Sequence, residues 1–285
     1  MNRRKTRNTV DKILYGLMVF ASLAVGGSLV GIVVYIIAQS AGMLRLSTVF
    51  GPGANSFLPM IVATSMTVVV SLTLALPVGI MTAIYLNEYA KKSNKGFSHS
   101  RFIRLAIDTL AGIPSIVYGL FGLLLFVRIF NLGQSIAAGG LTLSIMILPV
   151  IIRTTEEALK TVPGSFREGS LSLGATKFQT IIHAVLPPAL PGILTAAILA
   201  TGRVVGESAP VLLTIGIAKH LPRSIMEPGR TLTIHLYYLT KEAINPDDFA
   251  MAFTAAAVLI ILILFINTAV KLIGLIFKQT GENVD

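Results

Sequence analysis

The sequence predicts an all-α polytopic membrane protein with six transmembrane helices. Of its 285 residues, 54% are hydrophobic and only 13% charged, with a mean hydropathy of +0.79, far from the roughly quarter-charged composition of a soluble domain. Four runs contain no Asp, Glu, Lys or Arg: Ile13 to Ala38, Phe57 to Asn87, Ile129 to Ile152 and Phe249 to Val270. Each exceeds the roughly 20 apolar residues that cross a hydrocarbon core. Two further runs are long enough but interrupted, Leu105 to Val127 by Asp108 and Leu190 to Ile217 by Arg203 and Glu207. Backbone groups left unpaired in lipid are costly, so all six are read as helices, and the interrupted two should face protein or a water-filled path.

Taken in order, the chain begins with a basic segment, 1–12, followed by helix one at 13–38. Its 26-residue apolar run is too long for a signal-peptide core and is read as a retained helix. With six spans both termini share a side, and the cation count chooses it. Sixteen Lys and Arg fall on the side of the termini, among them Arg3, Arg4, Lys5, Arg7, Lys91, Lys92, Lys95, Arg153, Lys160 and Lys278. Six fall opposite (Arg45, Arg128, Lys219, Arg223, Arg230 and Lys241), with Arg203 inside the membrane. This asymmetry places both ends in the cytoplasm. It also explains the net charge of +10 without nucleic acid as a partner. The chain has no Cys, and its four His have no ligand spacing, which argues against a metal centre. No internal repeat or low-complexity tract is visible.

Asp108 lies about one turn inside span three, within reach of loop cations such as Arg104, and is read as structural. Gly112, Pro114 and Ser115 interrupt the same span. Pro114 frees a backbone carbonyl that must be satisfied internally, and a kink lining a pathway is expected there.

Segment 153–188 is too polar to span. Ser165-Phe-Arg-Glu168 and Thr176-Lys-Phe-Gln179 both have the form of a capping box, and Gly174 stands where the first short helix should stop. Phe178, Ile181, Ile182 and Val185 form one apolar stripe, and Leu186-Pro187-Pro188 is expected to end that second helix. A helical hairpin merely joining spans four and five is one reading; a docking surface for a cytoplasmic partner is the other.

In span five, Arg203 and Glu207 sit one turn apart. At i and i+4 they share a face, either as a neutralised pair pinning helices or as part of a path. An Arg there offers a planar guanidinium to a passing oxyanion, while Glu207 compensates its charge when the path is empty. Gly202 and Gly206 make a small-xxx-small pair that would admit another helix closely. The outer segment 218–248 carries balanced charges and is read as a solvated face. Gly206-Glu-Ser208 with His220 or His235 would be the elements of an intramembrane hydrolase, but no Gly-x-Ser-x-Gly elbow is present.

The arrangement Glu168-Gly169-Ser170, Gly174, then Ala184-Val185-Leu186-Pro187 resembles the EAA loop of permease subunits of binding-protein-dependent ABC importers. In that family Glu-Ala-Ala precedes a Gly and then Ile-x-Leu-Pro at the same spacing. Here Gly169 and Ser170 replace the two Ala, and Ala184 replaces Ile. Residues 107–122 and 202–210 resemble the phosphate-specific branch, and the similarity runs over roughly 13–277. The resemblance implies a type I ABC importer permease (MetI-like) core at 57–277, a peripheral helix one and a short tail at 278–285. It implies ATPase coupling through this loop, Glu168 and Gly174 being the positions that carry over and Gly169, Ser170, Leu186 and Pro187 completing the coupling segment; the expected substrate pathway at Arg203 and Glu207 rests on their charges inside the membrane. The implied partners are a homologous second permease chain, two ATPase subunits and an extracytoplasmic phosphate-binding protein. No P-loop motif occurs, so ATP and Mg are expected on the ATPase and this chain is expected to be non-catalytic. Permeases for sulfate, molybdate or phosphonate, and an ion-coupled secondary transporter, remain alternatives on the residues alone.

Overall fold

The computed structural model describes the backbone of residues 2–51, 56–90 and 99–282, and side chains within 11–51, 56–90, 99–272 and at 274. Lys91, Lys92 and Lys95, and the side chains of Arg3, Arg4, Lys5, Arg7 and Lys278, lie outside the described residues. Among the described residues all regular structure is helical. The elements are α1 (Asn2–Ser40), α2 (Leu46–Phe50), α3 (Leu58–Ile84), α4 (His99–Gly112), α5 (Ser115–Gly122), α6 (Ile136–Thr161), α7 (Gly164–Ser172), α8 (Lys177–Thr180), α9 (Leu186–Gly206), α10 (Ala209–Thr214), α11 (Leu232–Glu242) and α12 (Pro246–Glu282). Wider π turns extend α3 to Tyr89 and α5 to Ile129, and join α8 to α9 through Ile181–Val185. Among the described residues five helical stretches are long and apolar enough to cross a membrane, and the α4–α5 pair, bent by 102°, makes a sixth if it counts as one span.

The core is α3, α6 and α9, the three most extensively packed helices. Leu143, Met146 and Ile147 of α6 are fully buried against Val68 and Ala75 of α3 and Ala200 and Val204 of α9. Close approach depends on glycine: a Cβ on Gly140 would overlap Val70 Cγ1, so any larger residue would force α3 and α6 apart. Most buried hydroxyls of the core find partners, Thr155 of α6 being an exception. Thr64, Thr67 and Ser71 each donate to the carbonyl four residues earlier, and Ser144 donates both to Gly140 and across to Ser71, the latter at 3.0 Å. That keeps these polar groups of an apolar interior paired. α1 is exposed along most of its length and packs on α12, where the edge of Tyr35 meets Phe253 at 5.6 Å.

Several expected boundaries shift, each for a local reason. Span four begins at Ile136 rather than Ile129, because Asn131 and Gly133 take positive φ (55° and 63°) and the Ser135 side chain caps α6 by accepting from Ala138 N–H. The Ser165 capping box does not form: Pro163 holds Val162 extended, ending α6, and α7 starts at once on Gly164, leaving Ser165 inside the helix. Leu186-Pro187-Pro188 does not end the second helix of that segment. The prolines stand in the first turn of α9, and the preceding π turn carries the chain through, so 177–206 is one helical run.

Candidate functional site

The membrane-embedded site is built from two broken helices. α4 and α5 part at Ile113-Pro114, where Pro114 is extended (ψ 141°). The Leu110 carbonyl that a Pro114 N–H would have bonded is taken by the Tyr118 hydroxyl at 2.7 Å and by the Ile113 N–H at 3.2 Å. The expected interruption is thus a sharp bend whose freed carbonyl is satisfied internally. The second break follows α9. Glu207 caps that helix in an extended conformation (ψ 136°), and α10 starts two residues later with Pro210 in its first turn. α5 lies against α10 closely enough that a Cβ on Gly119 would stand 2.8 Å from Pro210 Cα.

Arg203 sits in the last turn of α9, where a cation suits the helix dipole. Its Nε lies 3.8 Å from Glu207 Oε1, the side chains being 36% and 17% exposed. That is an ion pair without a hydrogen bond, and among the described residues the Arg203 guanidinium makes none. The shared face expected for the two residues is present: Glu207 is the C-cap of α9, its φ of −76° is still helical, and the pair keeps i,i+4 geometry while ψ 136° turns the chain away after it. Beyond its own helical turn, a Cβ on Gly202 or Gly206 would meet no described atom within 4 Å; the helix contact expected there is not made among the described residues. His220 faces Glu227 and His235 meets Arg230.

At the end expected to be cytoplasmic, α7 is held by a residue that belongs to no sequence motif. Arg167 forks onto Glu88 in the π turn after α3, with Nη2 2.7 Å and Nε 3.1 Å from Oε1. The same guanidinium donates to the carbonyls of Val162 and Leu159 at the end of α6. Lys177 donates to the Glu88 carbonyl and stands over the Tyr89 ring, 4.6 Å from its centroid. Nearby, Arg104 of α4 binds both carboxylate oxygens of buried Glu156, which also holds Lys160, while Arg153 pairs with Asp108. Asp108, read from the sequence as structural and within reach of Arg104, instead meets Arg153, with both side chains exposed. A lone acid at the end of an apolar run, such as Glu88, is the one signal the sequence offers; nothing in it points to which cation, 79 residues away, meets that acid.

The coupling residues divide. Glu168 and Gly169 are exposed on α7, beside Leu173 at 90% exposure. Ser170 turns inward to Thr180, with the hydroxyls 3.0 Å apart. Gly174 has φ +85° and closes α7 as a Schellman cap: its N–H reaches Leu171 O, and the Ala175 N–H reaches Ser170 O. The Thr176 box forms as expected, with Gln179 returning to the Thr176 N–H at 2.8 Å. Its apolar stripe splits: Ile181 and Val185 are buried while Phe178 and Ile182 are exposed. Leu186 and Pro187 belong to α9, a helix apart from Glu168.

A family described as binding-protein-dependent transport system inner membrane components matches residues 75–279. The chain belongs to this family. Among its relatives is the probable ABC transporter permease protein YqgI of Bacillus subtilis (strain 168), 32% identical over 99% of this chain and 100% of that one. The phosphate transport system permease protein PstA 1 of Mycobacterium tuberculosis (strain ATCC 25618 / H37Rv) is 39% identical over 72% of this chain and 65% of its own length. The PstA homolog of Mycoplasma pneumoniae is 35% identical over 77% of this chain and 34% of that longer protein. Among solved structures, an inward-facing form of the MetNI methionine ABC transporter matches with a TM-score of 0.56 and 20% identity over 79% of this chain and 94% of that chain; it shares the fold. The chain is thus a multi-pass membrane component of a transport system with the MetI-like helical core expected from its sequence.

On the opposite side of this family member, Arg230 is 7% exposed, donates from Nε to the Ile217 carbonyl and lies over the Tyr238 ring, 4.7 Å from its centroid. Its Nη1 meets His235 Nδ1 at 3.4 Å, a contact that requires Nδ1 to accept, so His235 is neutral with its proton on Nε2. Burial, with help from the charges of Arg230 and Lys219, lowers the His235 pKa to about 4.

Proposed function

We propose that this chain is the permease subunit of an ATP-driven importer of inorganic phosphate, forming half of the translocation path. The observation that carries the reading is Arg203: a guanidinium in a membrane-spanning helix, beside two helix breaks, with a carboxylate near enough to neutralise it and too far to occupy its hydrogen-bond donors. A tetrahedral oxyanion suits that fork, and Glu207 allows its release. The PstA-named relatives support phosphate as the anion.

The reading extends to assembly. A homologous second permease completes the pore, an extracytoplasmic phosphate-binding protein delivers the anion, and two ATPase subunits holding ATP and Mg dock on the exposed face of α7 around Glu168. This chain carries no nucleotide and no catalytic group. Both termini are cytoplasmic, in the membrane of a bacterium. Helix 177–206 joins the coupling segment to Arg203 without interruption, a run of roughly 40 Å from Lys177 to Arg203, so displacement of α7 and α8 by the ATPase moves the pathway residue directly and alternates its access.

The test is uptake of radiolabelled phosphate into proteoliposomes holding this chain, its permease partner, the ATPase and the binding protein. Uptake that needs all four and resists excess sulfate and molybdate is expected. Full competition by either would assign another oxyanion, and uptake without the ATPase would assign another energy source.

A further inference from the structure

Between α2, α3 and α12 the structure leaves an apolar groove of about 740 Å³, walled by Ile61 and Val68 of α3 and by Val258, Leu262 and Phe265 of α12. The walls from both helices lie within membrane-spanning stretches. Ile61 to Val69 and Val258 to Ile266 each cover roughly 12 Å of helix, so the groove runs into the hydrocarbon layer. Its one wall hydroxyl, Ser65, is already bonded to the Ile61 carbonyl at 2.8 Å. The interior therefore asks for hydrocarbon and offers no polar group a partner. At its mouth stands Arg45, the residue before α2, exposed, with no side-chain bond at the helix start and no ion pair among the described residues.

We propose that this groove holds one acyl chain of an anionic phospholipid whose headgroup phosphate is bound by Arg45. Charge selects the occupant. A lone guanidinium above an apolar slot at membrane depth complements a molecule with an anionic head and a hydrocarbon tail; a protein helix would fill the slot but leave Arg45 unpaired. The site is at the end of the helices opposite α7, which is the outer leaflet in the proposed orientation, and it does not depend on what the transporter carries.

The chain contains no Trp, so a single introduced indole reports on its surroundings alone. The full-length chain carrying Phe50→Trp, with the indole lining the groove, is reconstituted in bilayers containing brominated phosphatidylglycerol or brominated phosphatidylcholine. Val34→Trp on the exposed face of α1 serves as the reference. Quenching at Phe50→Trp is expected at about fivefold lower mole fraction of the anionic lipid than of the zwitterionic one, the preference one guanidinium confers near a membrane surface. The reference site should show no preference. Adding Arg45→Gln should abolish the preference, and Arg45→Lys should keep part of it. An equal preference at both tryptophans, or one unchanged by Arg45→Gln, would overturn the proposal. So would absence of quenching at Phe50→Trp, which would mean that protein fills the groove. Monodisperse elution and an unchanged helical spectrum of each variant separate these outcomes from misfolding.

Discussion

Arg167 and Glu88 close a forked ion pair across 79 residues of sequence, and the same guanidinium holds two carbonyls at the end of α6. Glu88 is 8% exposed, so it is the kind of buried charge whose cost is met only while its partner remains. The pair fixes α7 to the ends of α3 and α6, two of the three core helices. In the proposed function this contact makes the coupling helix and the core move as one body.

Removing one partner should therefore do two things. Arg167→Ala leaves Glu88 without its cation, with only the Asn87 amide still donating to it, and two carbonyls without the guanidinium, at a cost of roughly 3 kcal/mol, and should lower the unfolding temperature of the chain in detergent. It should also cut binding-protein-stimulated ATPase activity in the assembled transporter. The double variant Arg167→Ala with Glu88→Gln should recover stability but not coupling. Full coupling in the double variant would show that the pair serves folding alone.

Glu168 should behave oppositely. It is exposed and its expected return to the Ser165 N–H does not exist, because α7 begins at Gly164. Glu168→Lys should change the stability by no more than is usual for surface substitutions, about 0.5 kcal/mol, while weakening co-purification of the ATPase. Unchanged co-purification and unchanged phosphate-stimulated ATPase activity would remove Glu168 from the coupling surface.

His235 predicts a pH dependence. An unfolded chain protonates this imidazole near 6.5, the folded chain only near 4. The unfolded state then binds more protons between those values, so the contribution is complete above pH 6.5 and stability falls as the pH is lowered toward 4. His235→Gln should flatten the melting temperature across that window. An identical slope in the variant would mean that other groups set it.

How much of this is legible in the sequence depends on range. Charge-free runs such as 57–87 mark the spans because lipid penalises every ionised group along them. The Gly174 stop and the Thr176 box are legible because each is complete within a few residues. The Ser165 box has the right letters, but Pro163, two residues upstream, starts the helix early. The end of span five is hidden because apolar composition continues through Ala209–Thr214, while the backbone breaks at Glu207. Arg167 stays hidden because its partner is distant in sequence, and only the folded chain brings Glu88, Val162 and Leu159 to one guanidinium.

The central claim is that Arg203 exchanges Glu207 for the transported anion. The most direct measurement is phosphate uptake by the reconstituted four-component transporter carrying Arg203→Gln, alongside Glu207→Gln. The account predicts that Arg203→Gln abolishes uptake while the complex still assembles, and that Glu207→Gln slows turnover with a lower KM, because the anion binds and is not released. Wild-type uptake by Arg203→Gln would contradict it.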